Sequence, residues 1–185
     1  MPFTPIHMGP GMAVKAAVPR HFSIVVFGLT QIALDLEVLW HLARRDPPLH
    51  RFWHTFLGAT VVAAALAVIG KPAARLVKSI WNRVASHGTD ADLSVPVHTS
   101  WAASASGAFV GAYSHILLDS MFHADVGPLK PWSAANPLRG IINPMMLQMG
   151  CLILGLIGIA WFFRGGFKVR KAGNRVEDTG SGRTR

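Results

Sequence analysis

Long apolar runs separated by short polar connectors set the pattern of this chain. Phe22–Trp40 is interrupted by Gln31, Asp35 and Glu37. Thr55–Gly70 is uninterrupted, and it is long enough to cross a bilayer when Phe52 and Trp53 belong to it. Trp101–Phe122 is diluted by Ser and Gly and carries His115 and Asp119 near its end, while Met145–Phe163 has Gln148 as its one polar residue. A helix needs about 20 mostly apolar residues to cross the hydrocarbon core, so the pattern predicts four spanning helices. Pro5–Val18 precedes a turn at Pro19-Arg20 and predicts a short N-terminal helix, with Gly9-Pro10-Gly11 expected to break its regularity. In Pro72–Ser86, Leu76, Val77, Ile80, Trp81 and Val84 share one helical face and Arg75, Lys78, Asn82 and Arg83 the other, which predicts a separate interfacial helix. Ser86–Pro96 reads as a loop, and the Gly-, Arg- and Thr-rich segment after Gly165 as a disordered tail. The expected fold is an all-α polytopic membrane bundle over residues 1–164, followed by a basic cytoplasmic tail over 165–185.

Composition agrees with this pattern: 51% of the 185 residues are hydrophobic, 15% are charged, and the mean hydropathy is +0.36. The N-terminus begins Met1-Pro2-Phe3-Thr4-Pro5-Ile6-His7, with its first Lys at position 15, unlike a cleaved signal peptide. The single cysteine, Cys151, cannot form an intrachain disulfide.

The net charge of +9 is unevenly placed. Lys15, Arg20, the segment 71–83 and the tail 164–185 collect most Lys and Arg at one set of helix ends, against Arg44, Arg45, Arg51, Lys130 and Arg139 at the other. Lys and Arg concentrate on the cytoplasmic side, so both termini are expected inside and the 41–53 and 123–144 loops outside. Basic patches can also bind nucleic acid, but these flank apolar segments without interleaved aromatics, so no nucleic-acid partner is expected. Trp40, Trp53, Trp101, Trp132 and Trp161 fall at presumed membrane edges, where aromatic belts form. Gly107 and Gly111 read as close helix packing.

Against this apolar background, residues with metal-ligand chemistry gather in three clusters, each at the end of an apolar segment: Asp35 and Glu37, His50 and His54, and His115, Asp119 and His123. Ionisable groups are costly in lipid and mark functional sites there. The four-residue spacing of the third cluster stacks its side chains on one helical face. Asp46-Pro47-Pro48 resembles a helix start, which would place His50 and His54 at i and i+4 in the opening turns, a spacing that lets two imidazoles grip one metal.

Depth joins the clusters. Asp35 lies 15 residues beyond Arg20 and His7 lies 13 before it; His54 stands 16 before Gly70 and His115 stands 17 after His98. At ~1.5 Å per helical residue, helices of opposite direction deliver these groups to one plane. Other readings compete residue by residue. Asp35 could pair with Arg44 or Arg45, and His7 could be a loop residue bonded locally. Asp35 and Glu37 are about 200° apart on a helix, so both face one point only if the helix ends or distorts there.

The ordered motifs resemble a known family. Ser114-His115-Ile116-Leu117-Leu118-Asp119, with His123, Gly127 and Pro131, is similar to the Ser-His-x-x-x-Asp segment of the bacterial membrane-bound metal-dependent hydrolases. That family also carries an early His, a Pro-Asp-x-Asp motif and a His-Arg-x-x-Thr-His motif. His7, Leu34-Asp35-Leu36-Glu37 and His50-Arg51-Phe52-Trp53-His54-Thr55 resemble these. Leu34 stands in place of the motif Pro, Glu37 in place of the second Asp, and His54 comes one residue early.

The resemblance implies a multi-pass protein of the bacterial inner membrane that hydrolyses a small-molecule or lipid-derived substrate, with membrane lipid as its other partner. The expected cofactor is a divalent metal, Zn²⁺ first, with Mn²⁺ or Fe²⁺ also suited to the donor set. His50, His54, His115 and Asp119 are the expected ligands. His7, Asp35 and His123 would serve a second metal or support the first. Glu37, or alternatively Asp35, is the expected general base, and Arg51 the expected holder of an anionic group. The rival class is a non-enzymatic membrane protein that binds or transports metal. Bis-His haem ligation is disfavoured, because Asp119 lies one turn from His115.

Overall fold

The computed structural model describes residues 7–85 and 99–180, with residues 85, 162–163 and 165–180 as backbone only. Five helices form, and no strand occurs among the described residues: α1 (Met8–Ala17), α2 (Ile24–Ala43), α3 (Phe56–Ala85), α4 (Trp101–Phe122) and α5 (Pro144–Gly180). The loop expected over Ser86–Pro96 and the last five residues, 181–185, lie outside the described residues.

Helix α1 runs without a break through Gly9-Pro10-Gly11. Pro10 falls in the first turn, where a backbone N–H has no partner inside the helix and its absence costs nothing. The two glycines are there for contact: a Cβ on Gly9 would collide with the Cys151 carbonyl of α5, and one on Gly11 would meet the Phe27 ring of α2. Serine side chains start the two central helices, Ser23 accepting from Val26 N (3.3 Å) and Ser100 from Ala103 N (3.1 Å).

Helix α3 continues for 30 residues through Pro72, where the sequence pattern predicted a span ending at Gly70 and a separate interfacial helix. Proline removes one N–H and crowds the carbonyl four residues back, but packing beyond it holds the helix in line. Ala74 is fully buried in the core, and Lys78 Nζ reaches Thr99 Oγ1 at 3.0 Å. At ~1.5 Å per residue this helix is about 45 Å long, longer than a bilayer core of about 30 Å. Helix α5 likewise runs on to Gly180, past the Gly165 boundary after which a disordered tail was expected. Extending a helix fixes one residue for each bond formed, whereas starting one fixes several.

Three helices are long and apolar enough to cross a membrane: Ile24–Ala43, Phe56–Val84 and Pro144–Trp161. That is one fewer than the four expected. Helix α4 has the length, but its Ser, Gly, His and Asp residues dilute its hydropathy, because it is the inner helix. Its small residues let neighbours approach: a Cβ on Gly107 would come within 2.5 Å of the Ser23 carbonyl, and one on Gly111 within 3.0 Å of the Phe27 carbonyl. Around it, Val26, Leu34, Ala59, Val62, Ala63, Ala108, Ala112 and Ile116 form the core between α2, α3 and α4.

Contacts along the helices set their directions. Ser104 meets Ala67 and Tyr113 meets Thr60, so α3 and α4 are antiparallel, while Gly107 lies against Ser23 and His115 against Gln31, so α2 and α4 are parallel. Gly9 beside Cys151 and Gly158 beside Met12 make α1 and α5 parallel. The C-terminal ends of α2 and α4 therefore lie at the same end of the bundle as the N-terminal ends of α1, α3 and α5. The basic residues Lys15, Lys71, Arg75, Lys78 and Arg83 lie toward the opposite end.

Candidate metal centre

Four buried side chains from three separate parts of the chain meet at the first of these ends. Asp35 (α2), His54 (just before α3), His115 and Asp119 (both α4) offer ligand atoms that all lie within 4.8 Å of one another. His115 Nε2 is 3.1 Å from Asp119 Oδ2 and 3.4 Å from Asp35 Oδ1, and His54 Nε2 is 3.6 Å from Asp119 Oδ2. None of these approaches is aligned as a hydrogen bond, and both Nε2 atoms are buried without a hydrogen-bond partner. Buried polar atoms are nearly always paired, so two imidazole nitrogens left open toward the same two carboxylates require an explanation. The donor set fits a divalent cation: two neutral imidazoles and two carboxylates around one point are the ligands Zn²⁺, Mn²⁺ or Fe²⁺ take.

The other face of each ring is fixed. His115 Nδ1 donates to Gln31 Oε1 (2.8 Å), and His54 Nδ1 donates to Glu37 Oε2 (3.0 Å). A nitrogen facing an acceptor oxygen must carry the proton, which leaves the Nε2 lone pair free to ligate.

Glu37 therefore occupies a different place from the one expected of a base. Its oxygens also accept the backbone N–H groups of Arg51 (3.0 Å) and Trp53 (3.0 Å), so the carboxylate is committed to holding the 51–54 segment. Asp35 and Glu37 do point to different sides of an unbroken α2, as their spacing requires. Asp35 faces the four-residue group, and Glu37 faces the back of His54.

The 46–54 segment is not the opening of a helix, contrary to the reading of Asp46-Pro47-Pro48; α3 begins at Phe56. Two carboxylates remote in sequence organise it. Glu37 takes the amides of 51 and 53, and Asp125 Oδ2 takes the amides of Leu49 (3.0 Å) and His50 (3.2 Å). With those N–H groups already paired, the segment has little to gain by becoming helical. The rings of His50 and His54 are still neighbours, with centroids 4.7 Å apart.

Arg51 is not placed to hold an anion at the centre. Its guanidinium donates to the Pro48 and Asp46 carbonyls (3.0 and 3.2 Å) and pairs with the Asp46 carboxylate at 2.8 Å. Arg44 stacks on Trp40, 3.8 Å from the ring centroid, so it is not the partner of Asp35. His7, at the start of α1, brings Nδ1 to 3.9 Å from Asp119 Oδ1, its ring edge-on to His115. His123 caps α4, its N–H bonded to the Asp119 carbonyl (2.7 Å), and its ring stacks on His50 at 4.5 Å.

Two residues escaped the sequence reading. Gln31 was noted only as an interruption of an apolar run, although a buried amide four residues before Asp35 shares its helical face. Asp125 had a weak signal: His123-Ala124-Asp125 leaves the helix, and extended backbone puts alternate residues on one side. Burial of Asp125 raises its carboxyl pKa, but the hydrogen bond and charge of His50 and the loop amides outweigh this and hold it below the ordinary carboxylate value.

Comparison with protein-family models, with curated proteins and with solved structures returns no match to this chain.

Proposed function

We propose that this protein is a membrane-embedded metal-dependent hydrolase. The observation that carries the reading is the pair of buried, unpartnered Nε2 atoms of His54 and His115 facing Asp119 and Asp35. The ordered motifs that resemble the bacterial membrane-bound metal-dependent hydrolases support it, and they imply a bacterial inner membrane. So do the exposed apolar faces of α2, α3 and α5, and the exposed Trp40, Trp101, Trp132 and Trp161. In this reading α4 also crosses the bilayer, shielded by α2 and α3, with α5 ending on the cytoplasmic side and the centre near the outer face; His7 at the start of α1 lies at that same outer end, against the expectation that both termini are inside.

His54, His115 and Asp119 are the three protein ligands, the number that leaves a catalytic zinc one open position. A divalent metal there would lower the pKa of water and polarise a scissile bond. Asp35, with Oδ1 3.4 Å from His115 Nε2, takes the proton from the attacking water. Gln31 and Glu37 hold the two imidazoles in the ligating tautomer, and His7 approaches Asp119 from α1.

The test is elemental analysis of purified full-length protein and of the His115→Ala and Asp35→Asn variants, followed by assays on generic phosphoesters. Bound metal lost with activity in His115→Ala, and retained with a rate lower by ~10²–10⁴-fold in Asp35→Asn, is expected. Bound metal without hydrolysis of any ester would instead favour a metal-binding or transport protein, and no bound metal would end the proposal.

A further inference from the structure

We propose that His50 and His123 hold a second divalent cation beside the first, with Asp125 fixing the His50 ring, making a two-metal centre whose substrate is a phosphate ester. This rests on the reading that the four-residue group binds metal. The three side chains offer ligand atoms within 4.8 Å of one another. They come from the 46–54 segment and from the chain just after α4, so the tertiary fold alone brings them together.

The histidines are prepared in the same way as those of the first group. His50 Nδ1 is 2.9 Å from Asp125 Oδ1, repeating the pairing of His54 with Glu37 and of His115 with Gln31. In each case Nδ1 is committed, and Nε2 has no hydrogen-bond partner among the described residues. A histidine kept only for structure gains by satisfying both nitrogens; three adjacent rings locked on one side and open on the other are the pattern of metal ligands.

The second group adjoins the first. The buried His50 ring lies between His54 and His123, with centroids 4.7 and 4.5 Å away. Metals in two-metal hydrolytic sites stand about 3.5–4 Å apart and together clamp the attacking and leaving oxygens of an in-line displacement.

The substrate class follows from charge. With Arg51 turned onto Asp46, the guanidinium nearest the centre in sequence is not offered to an anion. Two adjacent dications favour a substrate that carries anionic oxygens at the reacting atom. In the reaction the water oxygen bonds to phosphorus as the phosphorus–alkoxide bond breaks. Asp35 accepts one water proton and returns it to the leaving alkoxide, giving an alcohol and a phosphate.

The experiment strips the full chain of metal in detergent, titrates it with Mn²⁺, counts bound equivalents, and records electron paramagnetic resonance for coupling between ions. The parent should bind two equivalents with a spin-coupled spectrum. His123→Ala, which removes a ring whose nitrogens bond nothing described, should bind one equivalent, uncoupled, and lose at least ~10²-fold of phosphoester turnover. Asp125→Asn keeps an oxygen for the loop amides but loses the acceptor of His50 Nδ1, and should bind the second equivalent about 10–100-fold more weakly. One equivalent in the parent, lost in His115→Ala and unchanged in His123→Ala, overturns the second site and leaves the proposed function standing. Two uncoupled equivalents overturn the paired centre, and none bound overturns both proposals.

Discussion

Replacing Glu37 with Gln changes one atom, and the structure says where the loss falls. The carboxylate serves three donors: Oε2 takes Arg51 N–H and His54 Nδ1–H, both at 3.0 Å, and Oε1 takes Trp53 N–H at 3.0 Å. A glutamine can put its single oxygen in the Oε2 position and keep the first two bonds. Its NH₂ group then faces the Trp53 N–H, which keeps only its longer 3.2 Å bond to the oxygen in the Oε2 position. Weakening this exposed bond costs less than the ~1–3 kcal/mol of an orphaned buried donor. The bond to His54 also weakens, because an amide oxygen is a poorer acceptor than a carboxylate. Loss of such a supporting partner lowers metal affinity by about 10–100-fold. Glu37→Gln should therefore melt earlier and bind metal more weakly, yet turn over near the parent rate once metal is saturating. Competition with a chromophoric chelator gives the affinity, and turnover against metal concentration separates binding from rate. Parental metal affinity with a rate still lower by ~10²-fold or more at saturating metal would refute this reasoning and make Glu37 the base.

Arg51→Ala should leave bound metal and phosphoester KM within about two-fold of the parent, since the guanidinium pairs with Asp46 rather than the centre; a ten-fold rise in KM would show that Arg51 swings in to bind the anion. The Asp125 carboxyl is held below its ordinary value by His50 and the loop amides, so its share of stability is complete above about pH 4 and is lost as pH falls through the lowered folded value. In metal-stripped protein the thermal midpoint of the parent should therefore drop more steeply than that of Asp125→Asn as pH falls below about 4, and parallel curves would exclude this role.

Much of this architecture could be read along the chain because helices convert sequence distance into depth at a constant rise. The meeting of His54 with His115, with Asp35 and Asp119 beside them, follows from that arithmetic. So does the shared face of His115 and Asp119, since both are properties of local backbone geometry. The uneven charge was legible for the same reason: in antiparallel elements, position along the helix decides the end at which a residue lies.

What the chain order could not decide was set by groups remote in sequence. Whether 46–54 would be helix or loop depended on the carboxylates of Glu37 and Asp125, which take its amides from α2 and from beyond α4. Pro72 could end a helix or lie within one, and burial of Ala74 between neighbouring helices carried α3 onward. Asp35 and Glu37 are alike as isolated side chains; one faces His115 and the other the back of His54, and that difference separates a proton acceptor from a support. Sequence by itself determined where the apolar helices lie, their depths and the residue types available for chemistry, though not every helix end, because these depend on backbone periodicity and hydrophobicity. Tertiary structure alone decided which nitrogen of each histidine is open, since a tautomer is chosen by whatever partner the fold places against the ring.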